Sequence, residues 1–99
     1  MFRFERRVEV KHAAEVPAAL KFANEVTAYL NKRHDLGMKF GVEMFGEPTI
    51  HWYYDFESLD DSAKLNAALL KDGEYEKMLK NSEDLWIEQS THDTVVSLS

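Results

Sequence analysis

The chain reads Thr49-Ile50-His51-Trp52-Tyr53-Tyr54-Asp55-Phe56 near its centre, with apolar and polar side chains in alternation. Successive side chains on a strand point to opposite faces, so this stretch predicts a strand with one buried face. Residues 38–45 alternate in the same way, and Gly46-Glu47-Pro48 separates the two runs. Two alternating runs joined by a short Gly/Pro segment indicate a β-hairpin.

The segment before this hairpin predicts a strand followed by a helix. Residues 2–10 alternate between apolar and charged side chains, and Arg6 is the one charged residue on the apolar parity. From about residue 14 to residue 33, apolar side chains recur every three or four positions, which is typical of a helix with one buried stripe. We expect Gly37 to end this helix in a left-handed cap.

The C-terminal part predicts a helix in two pieces and a final strand. Ser58, with Asp61 three residues later, is an N-cap signature. Lys71-Asp72-Gly73 is expected to break or kink the helix that follows. The last strand is predicted from about residue 85 to residue 98, and the adjacent Val95 and Val96 suggest a β-bulge within it.

The predicted order is β-α-β-β-α-β over one domain of residues 1–99. Both predicted crossovers contain helices of the length needed to join parallel neighbours. The split β-α-β arrangement therefore predicts an α+β, ferredoxin-like fold, in which an antiparallel four-stranded sheet carries both helices on one face. The first and third strands are then adjacent and central.

Composition and charge exclude several classes of function. The net charge is −6, which disfavours nucleic acid and anionic membrane surfaces as partners. The chain has no cysteine, which removes thiolate metal sites, disulfides and thiol nucleophiles. No apolar run approaches the length of a membrane span, and the N-terminus lacks a secretory signal, so we expect a cytoplasmic protein.

The C-terminal half also resembles a known superfamily. The features are residues 50–56, Ser58 opening a helix, Asp72-Gly73-Glu74-Tyr75 at the helix break, and His92-Asp93-Thr94 in the closing strand. With the order of the elements, they resemble the dimeric α+β barrel superfamily, which includes antibiotic-biosynthesis monooxygenase-like and NIPSNAP-like proteins. The resemblance implies that two sheets pair into a barrel with the helices outside, so the expected partner is a second copy of the chain.

The face of the sheet that carries no helix is where such a pairing would occur. Its predicted members are polar or charged: Arg3, Glu5, Arg7, Glu9, Lys39, Glu43, His51, Tyr53 and Asp55. Charges of both signs alternate, so this surface can pair with its own copy across a two-fold axis. A solvated sheet face with alternating charge explains the same pattern, and the sequence leaves both interpretations open.

Arg6, Trp52 and Tyr54 are the candidate ligand-binding residues. They share the parity that faces the helices and lie on neighbouring strands. A guanidinium beside aromatic rings under a helix suits an anionic or aromatic ligand, with Arg6 as the anion anchor and the two rings as pocket walls. Alternatively, Arg6 extends to solvent or pairs with a carboxylate, and the aromatic residues, with Phe22, Phe40 and Met44, form ordinary core.

Histidines supply the candidate proton carriers. His51 alternates with Tyr53 and Asp55 on the polar parity, and His92 precedes Asp93, so either imidazole is a candidate catalytic group. His12 and His34 are expected to be solvated residues at the ends of elements. No histidine spacing indicates a metal site, and no glycine-rich loop indicates a nucleotide, so no metal and no cofactor is predicted.

Haem is disfavoured as well. Haem-degrading members of the resembling superfamily use an asparagine on the first strand, and residues 2–10 contain none. Two functions remain, beside the simpler alternative that dimerisation itself is the main property. One is a homodimer that binds a small, partly apolar ligand between sheet and helices. The other is a cofactor-independent monooxygenase or isomerase that acts on an aromatic or polyketide-like compound.

Overall fold

The computed structural model describes residues 1–43 and 45–99, which form a four-stranded sheet and three α-helices. The strands are β1 (Phe2–Glu9), β2 (Lys39–Glu43), β3 (Thr49–Phe56) and β4 (His92–Ser97). The helices are α1 (Val16–His34), α2 (Leu59–Leu70) and α3 (Gly73–Ser82). Single 3₁₀ turns precede α1 at Ala13–Glu15 and follow α3 at Glu83–Leu85. Met44, which the sequence assigns to the hairpin strand and the core, lies outside the described residues.

The sheet has the strand order β2-β3-β1-β4, and every neighbouring pair is antiparallel. The predicted ferredoxin-like fold is therefore confirmed, with β1 and β3 at the centre. The register places Arg6 opposite Trp52 on one side and opposite Asp93 on the other. These three residues consequently share one face of the sheet, since directly opposed residues point to the same side.

The core lies between α1 and the helix-facing side of the sheet. Five α1 residues are buried, namely Ala19, Ala23, Val26, Thr27 and Leu30, and they follow the spacing that the sequence showed. Ile50 is fully buried beneath them. The small side chains of Ala19 and Ala23 let the helix approach the sheet closely. By contrast, α2 has no buried residue, so it covers the sheet more loosely.

Two helix ends follow the sequence signals. The Ser58 side chain accepts a hydrogen bond of 3.2 Å from the backbone N–H of Asp61, which confirms the predicted N-cap of α2. The break between α2 and α3 is also confirmed, and Asp72 caps α3 by accepting from the N–H of Tyr75 at 3.1 Å. At the end of α1 the prediction was wrong. Asp35, with φ of 51°, is the left-handed capping residue, and Gly37 has φ of 63° further along the loop.

The last strand is shorter than predicted, because the segment before it contacts the end of β1 only around Trp86 and then leaves the sheet in a turn. Trp86 forms an isolated bridge with Val10, and its ring packs against two other aromatic rings. A turn follows in which the N–H of Ser90 donates to the carbonyl of Ile87 at 3.2 Å. Regular pairing therefore begins only at His92.

The predicted bulge in β4 is absent from the register. Pairing runs without interruption from Phe2 opposite Ser97 to Arg7 opposite His92. Val95 therefore faces the helix side and Val96 the other side, and both remain about half exposed because β4 is an edge strand. His92, Thr94 and Val96 therefore lie on the side of the sheet without helices. We call this side the helix-free face. Its other members are those predicted from the sequence: Arg3, Glu5, Arg7, Glu9, Lys39, Glu43, His51, Tyr53 and Asp55.

Among residues 1–43 and 45–99, no helix has the length and apolar character that crossing a membrane requires.

Candidate functional site

A cleft of about 830 Å³ lies between the sheet and the helices. Side chains from β1, β3, α1, α2, α3 and the segment before β4 line it. Apolar side chains make up most of its walls, and six of them are aromatic: Phe4, Phe22, Trp52, Tyr54, Tyr75 and Trp86. A volume of this size is in the range of small-molecule sites. The space beside Arg6 is therefore open, although the aromatic residues could have filled it as core.

Arg6 points into this cleft, where Asp93 holds its guanidinium. The Nε atom donates to Oδ1 at 2.7 Å and an Nη atom donates to Oδ2 at 2.9 Å, in a bidentate ion pair. The Arg6 group also lies 5.8 Å from the centroid of the Phe4 ring. The hydrogen bonds to Asp93 raise the pKa of Arg6 further above its usual range. The sequence allowed Arg6 to bind an anion, to extend to solvent or to pair with a carboxylate. The structure shows that it pairs with a carboxylate.

Three aromatic rings form the inner wall of the cleft. Phe22 stands edge-on to Trp52 at 6.2 Å and to Trp86 at 5.7 Å, and the two tryptophan rings are 5.9 Å apart. Trp52 is 6% exposed, and its indole N–H has no hydrogen-bond partner among the described residues. Buried donors are nearly always paired, so this unpaired N–H is unusual.

Tyr54 forms the wall next to Arg6. Burial raises the pKa of its hydroxyl, and the nearby Arg6 charge acts in the opposite direction. Its ring lies 5.3 Å from that of Phe4, which comes from the neighbouring strand. The structure therefore brings Arg6, Trp52 and Tyr54 to one cleft, as the strand parity indicated.

His51 and His92 lie on the helix-free face, away from the cleft. His51 is held between two carboxylates, with Nδ1 at 3.2 Å from Glu5 and Nε2 at 3.2 Å from Glu43. His92 is exposed and lies opposite Arg7. On the same face Arg3 forms a bidentate pair with Asp55, at 2.8 Å and 3.1 Å. Much of the charge on this face is thus paired within the chain.

A third polar cluster, which the sequence did not indicate, joins α1 to α3. The side chain of Asp72 is only 8% exposed, and the Tyr29 hydroxyl donates to its carboxylate, at 2.7 Å from Oδ1 and 2.9 Å from Oδ2. His34 Nε2 lies 3.0 Å from the same carboxylate. The expectation that His34 is solvated was therefore wrong, because α3 covers it. In the sequence, Tyr29 belongs to the apolar stripe of the first helix and Asp72 to the break in the second. Neither assignment indicates that the two side chains are in contact.

The hydrogen bonds to Asp72 lower its pKa to about 2, with Tyr29 as the largest contributor and His34 as the second. The same contact raises the pKa of Tyr29. His12, by contrast, is exposed as expected. Within residues 1–43 and 45–99, no group of three or more His, Asp or Glu side chains is arranged to hold a metal ion.

Comparison with known proteins places this geometry among solved structures. No protein-family model and no curated protein matches the chain. Protein Atu4242 from Agrobacterium tumefaciens is 26% identical over 100% of this chain and 94% of its own, with a TM-score of 0.82. A second structure of it, as a NIPSNAP family protein with unknown function, gives 27% identity over 97% and 86%, with a TM-score of 0.80.

An antibiotic biosynthesis monooxygenase is also similar, with 9% identity over 100% of this chain and 99% of that chain, and a TM-score of 0.74. The chain has the fold of the dimeric α+β barrel superfamily. The resemblance predicted from the sequence is confirmed at this level. At 9% identity the monooxygenase shares the fold alone, and the function of the NIPSNAP family neighbour is itself unknown.

Proposed function

We propose that the protein is a cytoplasmic homodimer that binds a small, partly apolar ligand in the cleft, with Trp52 and Tyr54 as walls and Arg6 beside the ligand. The observation that carries this proposal is the open, aromatic cleft of about 830 Å³ between sheet and helices. Aromatic walls with a few polar groups are typical of small-molecule sites.

The loose packing of α2 gives a route for entry. None of its residues is buried, and its Leu65 and Leu69 form part of the cleft wall.

The test follows from the position of the tryptophans. The chain contains two, Trp52 and Trp86, and both line the cleft, so their indole N–H signals report on its occupancy. With 4-nitrobenzyl alcohol as a neutral aromatic probe, we expect both signals to shift saturably in ¹H–¹⁵N spectra. Amide signals away from the cleft, such as that of the exposed Glu47 between β2 and β3, should stay in place.

Two neighbouring leucines of α2 provide a matched pair of variants. Leu69 lines the cleft, whereas Leu70 is 87% exposed and does not. Leu69→Phe fills part of the cleft and should weaken binding of the probe by roughly tenfold, whereas Leu70→Phe should leave it unchanged. Equal affinities for the two variants, or no saturable shift in the wild type, would contradict the proposal.

Charge balance supports the homodimer. The helix-free face carries three cations (Arg3, Arg7 and Lys39) and four carboxylates (Glu5, Glu9, Glu43 and Asp55), although the whole chain has a net charge of −6. Two such faces can therefore approach with little repulsion.

Catalysis is the second candidate, with His51 as the group that would move a proton. One carboxylate can orient the imidazole, but both ring nitrogens contact carboxylates, so a general base requires that Glu5 or Glu43 releases its contact. In a barrel of two copies this group, with His92, would face the interior. For a monooxygenase, oxygen uptake with an anthrone as probe should fall in His51→Gln and stay constant in the exposed His12→Gln. Equal uptake in both variants would remove this candidate.

A further inference from the structure

We infer that the cleft selects a positively charged aromatic ligand, such as an arylalkylamine, over an aromatic carboxylate. This inference rests on the proposed binding function and specifies its ligand class. Its basis is the set of charged side chains that line the cleft: Arg6, Lys11, Glu83, Asp84, Glu88 and Asp93.

Arg6 is a weak anchor for an anion, because Asp93 already balances its charge. Both of its donor groups that face Asp93 are engaged, at 2.7 Å and 2.9 Å, so the pair contributes almost no net charge to the cleft. Three of its five N–H donors remain, but the Asp93 carboxylate beside them repels an incoming carboxylate and offsets most of the attraction of the guanidinium.

The remaining charge at the cleft is negative. Glu83 and Asp84 lie in the 3₁₀ turn after α3, and Glu88 lies in the segment before β4. Lys11 is the one other cation among the lining residues, so the carboxylates exceed the cations by two. Charges at the mouth of a low-dielectric cleft act on a ligand more strongly than they would in bulk water.

The walls also suit a cation. Aromatic rings attract an ammonium group through the negative potential of their faces, and Trp52 and Trp86 provide the strongest such surfaces. Six aromatic residues line the cleft. An aromatic amine can therefore place its ring among these side chains and its ammonium near the acidic mouth.

Three probes with one ring system test the inference: 4-nitrobenzylamine, 4-nitrobenzyl alcohol and 4-nitrobenzoate. The affinities, measured from the indole signals at low ionic strength, should follow that order, with about tenfold between amine and carboxylate. The preference should shrink as salt is added, because the acidic side chains at the mouth are exposed.

Variants locate the source of the preference. Replacing all three mouth carboxylates, by Glu83→Gln, Asp84→Asn and Glu88→Gln, should bring the amine and alcohol affinities within about twofold of each other. A control that removes three exposed carboxylates outside the lining, by Glu25→Gln, Glu47→Gln and Glu57→Gln, should keep the preference.

The outcomes distinguish the inferred charge preference from the proposed ligand binding on which it rests. If 4-nitrobenzoate binds as tightly as the amine or more tightly, the charge preference is overturned while the cleft remains a ligand site. If none of the three probes binds, the proposed function and the inference fail together. A preference that survives the mouth substitutions also overturns the inference, since its source would lie elsewhere.

Discussion

At the residue scale, Asp72 shows how one side chain can serve two elements. It caps α3 through the N–H of Tyr75 and also accepts hydrogen bonds from Tyr29 and His34 of α1. Because these donors favour the charged form, the pKa falls from its ordinary value of 3.8 to about 2. The stabilisation is therefore complete above about pH 4 and is lost as the pH falls towards 2.

We predict that Asp72→Asn lowers the Tm at neutral pH by roughly 5 °C, because the amide replaces one acceptor oxygen by an NH₂ donor and removes the charge that strengthens the contacts with Tyr29 and His34. The variant should also lose less stability than the wild type between pH 4 and pH 2. Thermal unfolding followed by circular dichroism across this pH range measures both effects.

Asp60→Asn is the control for this prediction, since Asp60 is exposed in the first turn of α2. Its pH profile should match that of the wild type. Tyr29→Phe, which removes only the hydroxyl, should reproduce part of the Asp72→Asn effect. An unchanged acid profile in Asp72→Asn would show that other carboxylates control unfolding in this range.

At the scale of elements, α1 and α2 differ in how much of each helix is buried. Five residues of α1 are buried, whereas none of α2 is. Local opening requires less free energy where few apolar contacts are lost. We therefore predict that amides of α2 exchange with solvent faster than those of α1, as measured by hydrogen–deuterium exchange.

A substitution at the N-cap of α2 tests this prediction. Ser58→Ala removes the acceptor for the N–H of Asp61 and should cost about 1 kcal/mol, which corresponds to roughly fivefold faster exchange in α2. Exchange in α3 should stay the same, because Asp72 caps that helix. The exposed Ser99→Ala serves as control. Slower exchange in α2 than in α1 would mean that something else covers α2.

At the scale of the whole molecule, β4 offers a test of dimerisation. Val95 and Val96 are adjacent and similarly exposed, at 51% and 48%, but they point to opposite sides of the sheet. Val96→Lys places a charge beside Arg3 on the helix-free face, and we predict that it shifts the protein to monomer. Val95→Lys, on the helix side, should leave the dimer intact.

Native mass spectrometry of untagged protein distinguishes these states, since a dimer appears at twice the 11.5 kDa mass of one chain. The same spectrum would reveal a bound small molecule as added mass. A wild-type protein that is entirely monomeric at micromolar concentration would contradict the homodimer and leave the helix-free face in solvent.

The sequence by itself determined the fold and the sidedness of its strands. Period-two alternation in residues 2–10 and 49–56 assigned Arg6, Trp52 and Tyr54 to one face, and the structure confirms that they share it. Ser58 and the break at residues 71–73 were readable for the same reason. Strand alternation, helix caps and helix breaks depend on residues within a few positions of one another, so the local sequence is enough to predict them.

Only the tertiary structure decided the partners of the polar groups. Arg6 meets Asp93 across 87 positions of sequence, and Tyr29 meets Asp72 across 43. It also decided that Trp86 turns inward and delays β4 until His92. Such contacts depend on which elements lie beside each other, a property that no local pattern records. That is why the sequence placed Arg6, Trp52 and Tyr54 on one face but left open whether the space beside them is a cleft.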